Sequence, residues 1–117
     1  MFKSDRRFVV FSYEVTHGLL LLRSGKTDKH KTRIDILIRD VRALEIRAWF
    51  EGFEFAEGDI SNLVGFRSNP VQMFEPGNKI YILRGLAWEG FILGGILFIH
   101  EDSEEFTAPS ALIKGKV

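Results

Sequence analysis

The sequence contains no cysteine. A disulfide framework and a thiolate metal site are therefore excluded, and a reducing cytoplasm is the expected location. Net charge is missing as well, because 16 Lys and Arg face 16 Asp and Glu. That balance argues against a dedicated nucleic-acid binder, which needs a basic excess to neutralise phosphates. It also leaves little repulsion between copies, so self-association into a homo-oligomer is an expected property. There is no long apolar run. Leu86–Ile99, LAWEGFILGGILFI, comes nearest to one, but it carries Glu89 and glycines and is shorter than the ~20 residues a spanning helix requires. It reads as buried strands, and no membrane association is expected. The N-terminal MFKSDRRFVVF has too short an apolar run for a signal peptide. No internal repeat, low-complexity tract, linker or long amphipathic helix is apparent.

What is present suits a small sheet protein. At 117 residues, residues 1–117 fit one domain that can bury a core without covalent staples. Eleven Phe, two Trp and two Tyr favour aromatic-packed sheets. The organising stretch is Thr32–Phe55, TRIDILIRDVRALEIRAWFEGFEF. Ile34, Ile36 and Ile38 alternate with Arg33, Asp35 and Leu37, which is the rhythm of a strand with one apolar face. Farther on, Leu44, Ile46, Ala48 and Phe50 alternate with Glu45, Arg47, Trp49 and Glu51. A helix capped by Asp40 and ended by Gly52 competes there, but only a strand puts all four apolar residues on one face. Gly52 then resets the phase as a bulge or bend, turning Phe53 and Phe55 to the core. The charged residues of this stretch, Arg33 and Asp35 among them, read as a solvated face carrying cross-strand ion pairs.

The remaining chain follows the same pattern. Phe8–Val15 is a strand after frayed residues 1–5, and Leu19–Arg23 is a strand buried on both faces. Asp59 caps a short helical turn, and Lys79–Arg84 is a strand. Leu86–Leu93 and Ile96–His100 are two more, joined at Gly94-Gly95 by a tight hairpin turn or continuous through a glycine bulge. Phe106 re-enters the sheet, and Pro109–Lys114 forms a last helical turn stopped by Gly115. The expected fold is all-β: an antiparallel meander forming a sandwich or open barrel, with one or two short helical turns.

Catalytic and metal motifs are scarce. Gly25-Lys26-Thr27 resembles the end of a phosphate-binding loop, but Leu20 stands where the pattern needs its first glycine, and no helix follows. The surrounding loop, with Lys26, Lys29, Lys31 and Arg33, is basic and reads as solvated. The acidic turn Glu101–Glu105 lacks the spacing of a calcium loop. His17, His30 and His100 sit in no ligand pattern, and no nucleophile elbow is present. No catalytic residue, metal or cofactor is therefore nominated. Trp49, on the charged side of its strand, carries the most recognition potential, because exposed large aromatics favour protein interfaces.

The order IDILIRDVRALEI, followed by Trp49-Phe50-Glu51-Gly52, resembles small all-β bacterial proteins, among them immunity proteins of polymorphic toxin systems. Gly90–Asp102 and the Pro109-Ser110 end are similar too. The resemblance implies a cytoplasmic, non-enzymatic protein that binds another protein, and it carries over no functional residues. The leading expectation is thus a protein-binding module, immunity-like in type, using Arg47, Trp49 and Glu51 with the basic loop nearby. The alternative is a small-ligand-binding β-barrel or a hydrolase with a pocket near His17, Asp35 and His100. An enclosed cavity would favour the alternative; a filled interior with an exposed Trp49 would favour the module.

Overall fold

A computed structural model describes residues 1–113. Its strands are β1 (Phe2–Glu14), β2 (Leu19–Ser24), β3 (Arg33–Ile38), β4 (Ala43–Glu45), β5 (Trp49–Glu57), β6 (Lys79–Gly85), β7 (Trp88–Gly94) and β8 (Leu97–Asp102). Between β5 and β6 lie a short helix, α1 (Ile60–Val64), and a 3₁₀ turn (Pro70–Met73). All eight strands form one antiparallel sheet in the order β4-β7-β6-β5-β1-β2-β3-β8, with β4 and β8 as its open ends. The fold is therefore all-β, as the alternation implies, with an open, unclosed sheet.

The sheet curls because two long segments bend together. β3 and β4 pair with β8 and β7 respectively, so the connections between them meet midway. There the Arg39 N–H donates to the Ile96 carbonyl (3.1 Å), the Gly95 N–H to the Arg39 carbonyl (2.7 Å), and the Arg42 N–H to the Leu93 carbonyl (2.8 Å). A Cβ on Gly94 or Gly95 would lie about 3 Å from the Arg39 carbonyl oxygen. The two glycines thus serve a close approach of backbones at a shared bend. They do not make a hairpin, since β7 and β8 pair with other strands and not with each other. The Tyr81 hydroxyl donates to the Gly95 carbonyl (2.8 Å) and pins the bend from β6.

Inside the curl, residues of six strands meet in one cluster: Phe8 from β1, Leu20 and Leu22 from β2, Ile34, Ile36 and Ile38 from β3, Phe50, Phe53 and Phe55 from β5, Tyr81 and Leu83 from β6, and Ile92 from β7. Rings pack edge-on within it, Phe8 with Phe53 at 5.2 Å and Phe50 with Phe53 at 4.9 Å. Phe50 and Phe53 share the core despite their odd spacing. Gly52, at φ 66°, sits where the β1–β5 register shifts between Ser4 and Arg7, and this bulge supplies the change of phase. Outside the curl, Ile80, Ile82, Phe91 and Leu93 pack under Leu63 and Phe66. β6 and β7 are consequently buried on both faces, which explains their continuous apolar runs. Asp59 caps α1, its carboxylate accepting from the Ser61 N–H, while the Asn62 side chain closes a capping box.

Several local expectations are corrected. Residues 2–5 belong to β1, because Phe2 packs on the main core. The segment between Val41 and Phe50 is strand only at Ala43–Glu45 and from Trp49 onward. Leu44 and Ala48 are exposed, while Ile46 alone of the middle residues reaches the core. The two residues between β6 and β7, Leu86 and Ala87, form the hairpin turn, so β7 begins at Trp88. Phe106 is not in the sheet. Residues 111–112 form a turn near the chain end, whereas Lys114 and Gly115 lie outside the described residues.

The largest correction concerns charge. Arg33 and Asp35, expected on a solvated face, are at most 1 % exposed, as is Arg23 at the end of its buried strand. Arg23 donates through Nε (2.6 Å) and Nη2 (3.1 Å) to the Asp35 carboxylate, and through Nη1 to the Phe106 carbonyl (2.6 Å). Arg33 binds Asp102 in the same two-pronged way and donates to the carbonyls of Glu105, Ala108 and Pro109. The segment after β8 is thereby laid over the outer face of β2 and β3. Buried guanidinium groups are tolerated because every donor direction is answered by a carboxylate or a carbonyl.

Candidate functional site

The expected binding residues converge on one end of the curled sheet. Trp49 opens β5, pairs with Val9 of β1 and turns its ring outward, opposite to Phe50. It is 53 % exposed. The Arg7 guanidinium lies over its ring, 4.5 Å from the centroid. Trp88 opens β7 on the neighbouring hairpin and lies across Gly85, its cross-strand partner, where any side chain would collide with the indole. One side of Trp88 packs against Phe50 at 5.0 Å, and Arg47 sits 5.5 Å from its ring centroid. Arginine over an indole face gains from the ring quadrupole, about 0.5–1 kcal/mol at exposed sites.

Between the two tryptophans lies an open cleft of about 490 Å³, bounded also by Arg47, Phe50, Glu51 and Leu86. Arg47, Trp49 and Glu51 thus share one surface. Leu86 completes it in a way the sequence reading missed. It stands at the tip of the β6–β7 hairpin with 91 % of its surface exposed, and the next residue, Ala87, holds a left-handed backbone at φ 62°. That conformation costs a residue with a Cβ about 1–2 kcal/mol. Hairpin tips ordinarily use Asn or Gly here. The available signal was the symmetry of KIYILRG and WEGFILG about Leu86-Ala87, sealed by an Arg84–Glu89 ion pair at 2.7 Å. Without turn residues at the centre, that symmetry is easily passed over.

The basic loop is divided. Lys26, Lys29 and Lys31 are exposed between β2 and β3, whereas Arg33 is buried in β3 and does not belong to the loop surface. Lys26 reaches the Ser103 carbonyl (3.0 Å) and Glu105, whose carboxyl it holds below the usual range. Lys29 pairs with Asp5 at 3.1 Å and lowers that carboxyl likewise.

The histidine alternative is not assembled. His17 lies in the β1–β2 turn against Glu14, and the cleft beside it is bounded by Arg39, Asp40 and Val41. Asp35 pairs with Arg23, four residues along β2 from Leu19, roughly 13 Å at the usual strand rise. His100 does face Asp35 across the β3–β8 ladder, but its ring lies 3.5 Å from Asp102. Among the described residues, no group of three or more His, Asp or Glu side chains is placed to hold a metal ion. No described helix is long and apolar enough to cross a membrane.

The chain matches no protein-family model, no curated protein and no solved structure with which it was compared.

Proposed function

We propose that this protein acts by binding another protein through the cleft formed by Trp49, Leu86 and Trp88. The observation that carries the reading is Leu86. A leucine 91 % exposed, presented on a left-handed non-glycine turn beside a half-exposed tryptophan, is costly for folding alone. Trp and Arg supply binding energy when a partner covers them, Leu86 adds apolar area that a partner removes from water, and Arg47 and Glu51 give the rim its polarity. A filled interior, packed with the rings of Phe8, Phe50, Phe53 and Phe55, supports binding at the surface over binding in a barrel lumen. The partner is a second copy of the chain or, as the immunity-protein resemblance suggests, a bacterial protein met in the cytoplasm.

Light scattering across concentration, on the native chain and on Trp49→Ala, tests the reading. A native oligomer that becomes a folded monomer in the variant makes Trp49 an interface anchor. Monomers of equal stability leave the face free for a different partner protein. An oligomer unaffected by the substitution assigns self-association to another surface, such as β8, where Phe98 and Ile99 are exposed. A monomeric variant that loses stability makes Trp49 a core residue and contradicts the reading.

A further inference from the structure

Arg7 borders a second concavity. Besides covering Trp49, it lines a pocket of about 260 Å³ between β1, β2 and the loop that follows β2. The walls include Val9, Gly25 and the Phe106 ring. Gly25 is required by this construction, since a Cβ there would come 2.8 Å from Phe106 Cδ1. The rim carries Arg6, Arg7, Lys26 and His30, and no Asp or Glu bounds the pocket, although the chain as a whole is charge-balanced. Acidic partners of the rim lie outside it. Asp5, 3.5 Å from the His30 ring, and Glu105, paired with Lys26, are 66 % and 80 % exposed in their side chains. Arg6 is engaged by the Thr32 carbonyl and Glu101, and Arg23 at the back by Asp35. Arg7 has only the indole face and forms no ion pair among the described residues, so its outer donors are open to a ligand.

We propose that this pocket binds a small organic anion: a compact apolar body, about one ring in size, bearing a single phosphate or carboxylate. The volume lies just below the ~300–1,000 Å³ of sites for drug-sized ligands, which suits one ring and one anionic group. The apolar body lies against Val9 and Phe106, and the anion faces Arg7, Lys26 and His30. An arginine fork and a lysine point charge together give directional and long-range recognition of such a group. This pocket touches the tryptophan cleft only through Arg7, and the proposal does not depend on a protein partner covering Trp49.

The test is an NMR titration of the full chain, at constant ionic strength, with phenyl phosphate, benzoate, inorganic phosphate and phenol. The expected result is saturable binding of phenyl phosphate or benzoate at least tenfold tighter than inorganic phosphate or phenol. The shifted amides are those of Val9, residues 25–27 and Phe106, and whichever of the two ligands binds tighter identifies the anionic group. Lys26→Gln weakens binding at least fivefold with the spectrum otherwise native, and Arg7→Gln does the same while also moving the Trp49 indole signal. Should Arg7→Gln disturb the fold, Lys26→Gln alone decides. Equal affinity for inorganic phosphate would reduce the site to diffuse charge, and equal affinity for phenol to an apolar gap. Either outcome, an absence of saturation, or unchanged affinity in Lys26→Gln overturns the proposal.

Discussion

Ala87 and Asp102 show how single residues set the balance between stability and use. Ala87 holds a left-handed turn at the exposed hairpin tip. Ala87→Gly removes the Cβ clash at some cost in unfolded-chain entropy, so a gain of about 0.5–1 kcal/mol in urea unfolding is expected. Asp102 has its carboxyl lowered below the ordinary carboxylate value, chiefly by hydrogen bonds from Arg33. A depressed folded-state value means that the stabilisation is complete above the unfolded value of 3.8 and disappears as pH falls through the lower folded one. Acid should therefore loosen the segment after β8 in that window. Asp102→Asn should cost about 1–3 kcal/mol at neutral pH and flatten the acid limb of the stability profile, which denaturant melts at several pH values would record.

Among the elements, the β1–β2 turn is a close junction with the β3–β4 bend. Gly18, at φ 59°, presses on the β3–β4 bend, where a Cβ would lie 2.9 Å from the Val41 nitrogen, and its carbonyl accepts from the Val41 N–H at 2.9 Å. Gly18→Ala should cost more than about 2 kcal/mol, combining left-handed strain with a backbone collision that no rotamer relieves. The strands whose apolar residues alternate were legible in the sequence because a period of two is local information. Ile34, Ile36 and Ile38 announce β3, and Gly52 announces the change of phase in β5. The β6–β7 turn was not legible, since Leu86-Ala87 lacks turn chemistry and its conformation is imposed by the flanking ladder. The role of Gly94-Gly95 was not legible either. A glycine needed for close approach looks, in one sequence, the same as a glycine needed for a turn. Of the candidate site, Trp49 and Glu51 could be read from strand parity, whereas Arg47 lies between β4 and β5, and Arg7 and Leu86 arrive through pairings distant in sequence.

For the molecule as a whole, the division of labour runs between the two surfaces of the curled sheet. The inner surface is filled with aromatic rings, and the outer one is covered in separate places by α1 and by the segment after β8. Arg23 and Arg33 hold that last cover by donating to carbonyls, a device with no signature in the sequence because any residue supplies a carbonyl. Arg33→Met should leave the sheet folded but open residues 103–113 to limited proteolysis, at a cost of about 1–3 kcal/mol, because the part-exposed Asp102 carboxylate regains water once its partner is gone. Where neither cover reaches, Trp49 and Leu86 remain exposed, the face that the proposed protein partner would cover. A binding face of this kind is dispensable for folding. The most direct measurement is the urea unfolding free energy of the double variant Trp49→Ala, Leu86→Asp against the native chain as dilute monomers. The expected difference is within about 1 kcal/mol. A loss of more than about 3 kcal/mol, the mark of a large side chain removed from a core, would contradict it.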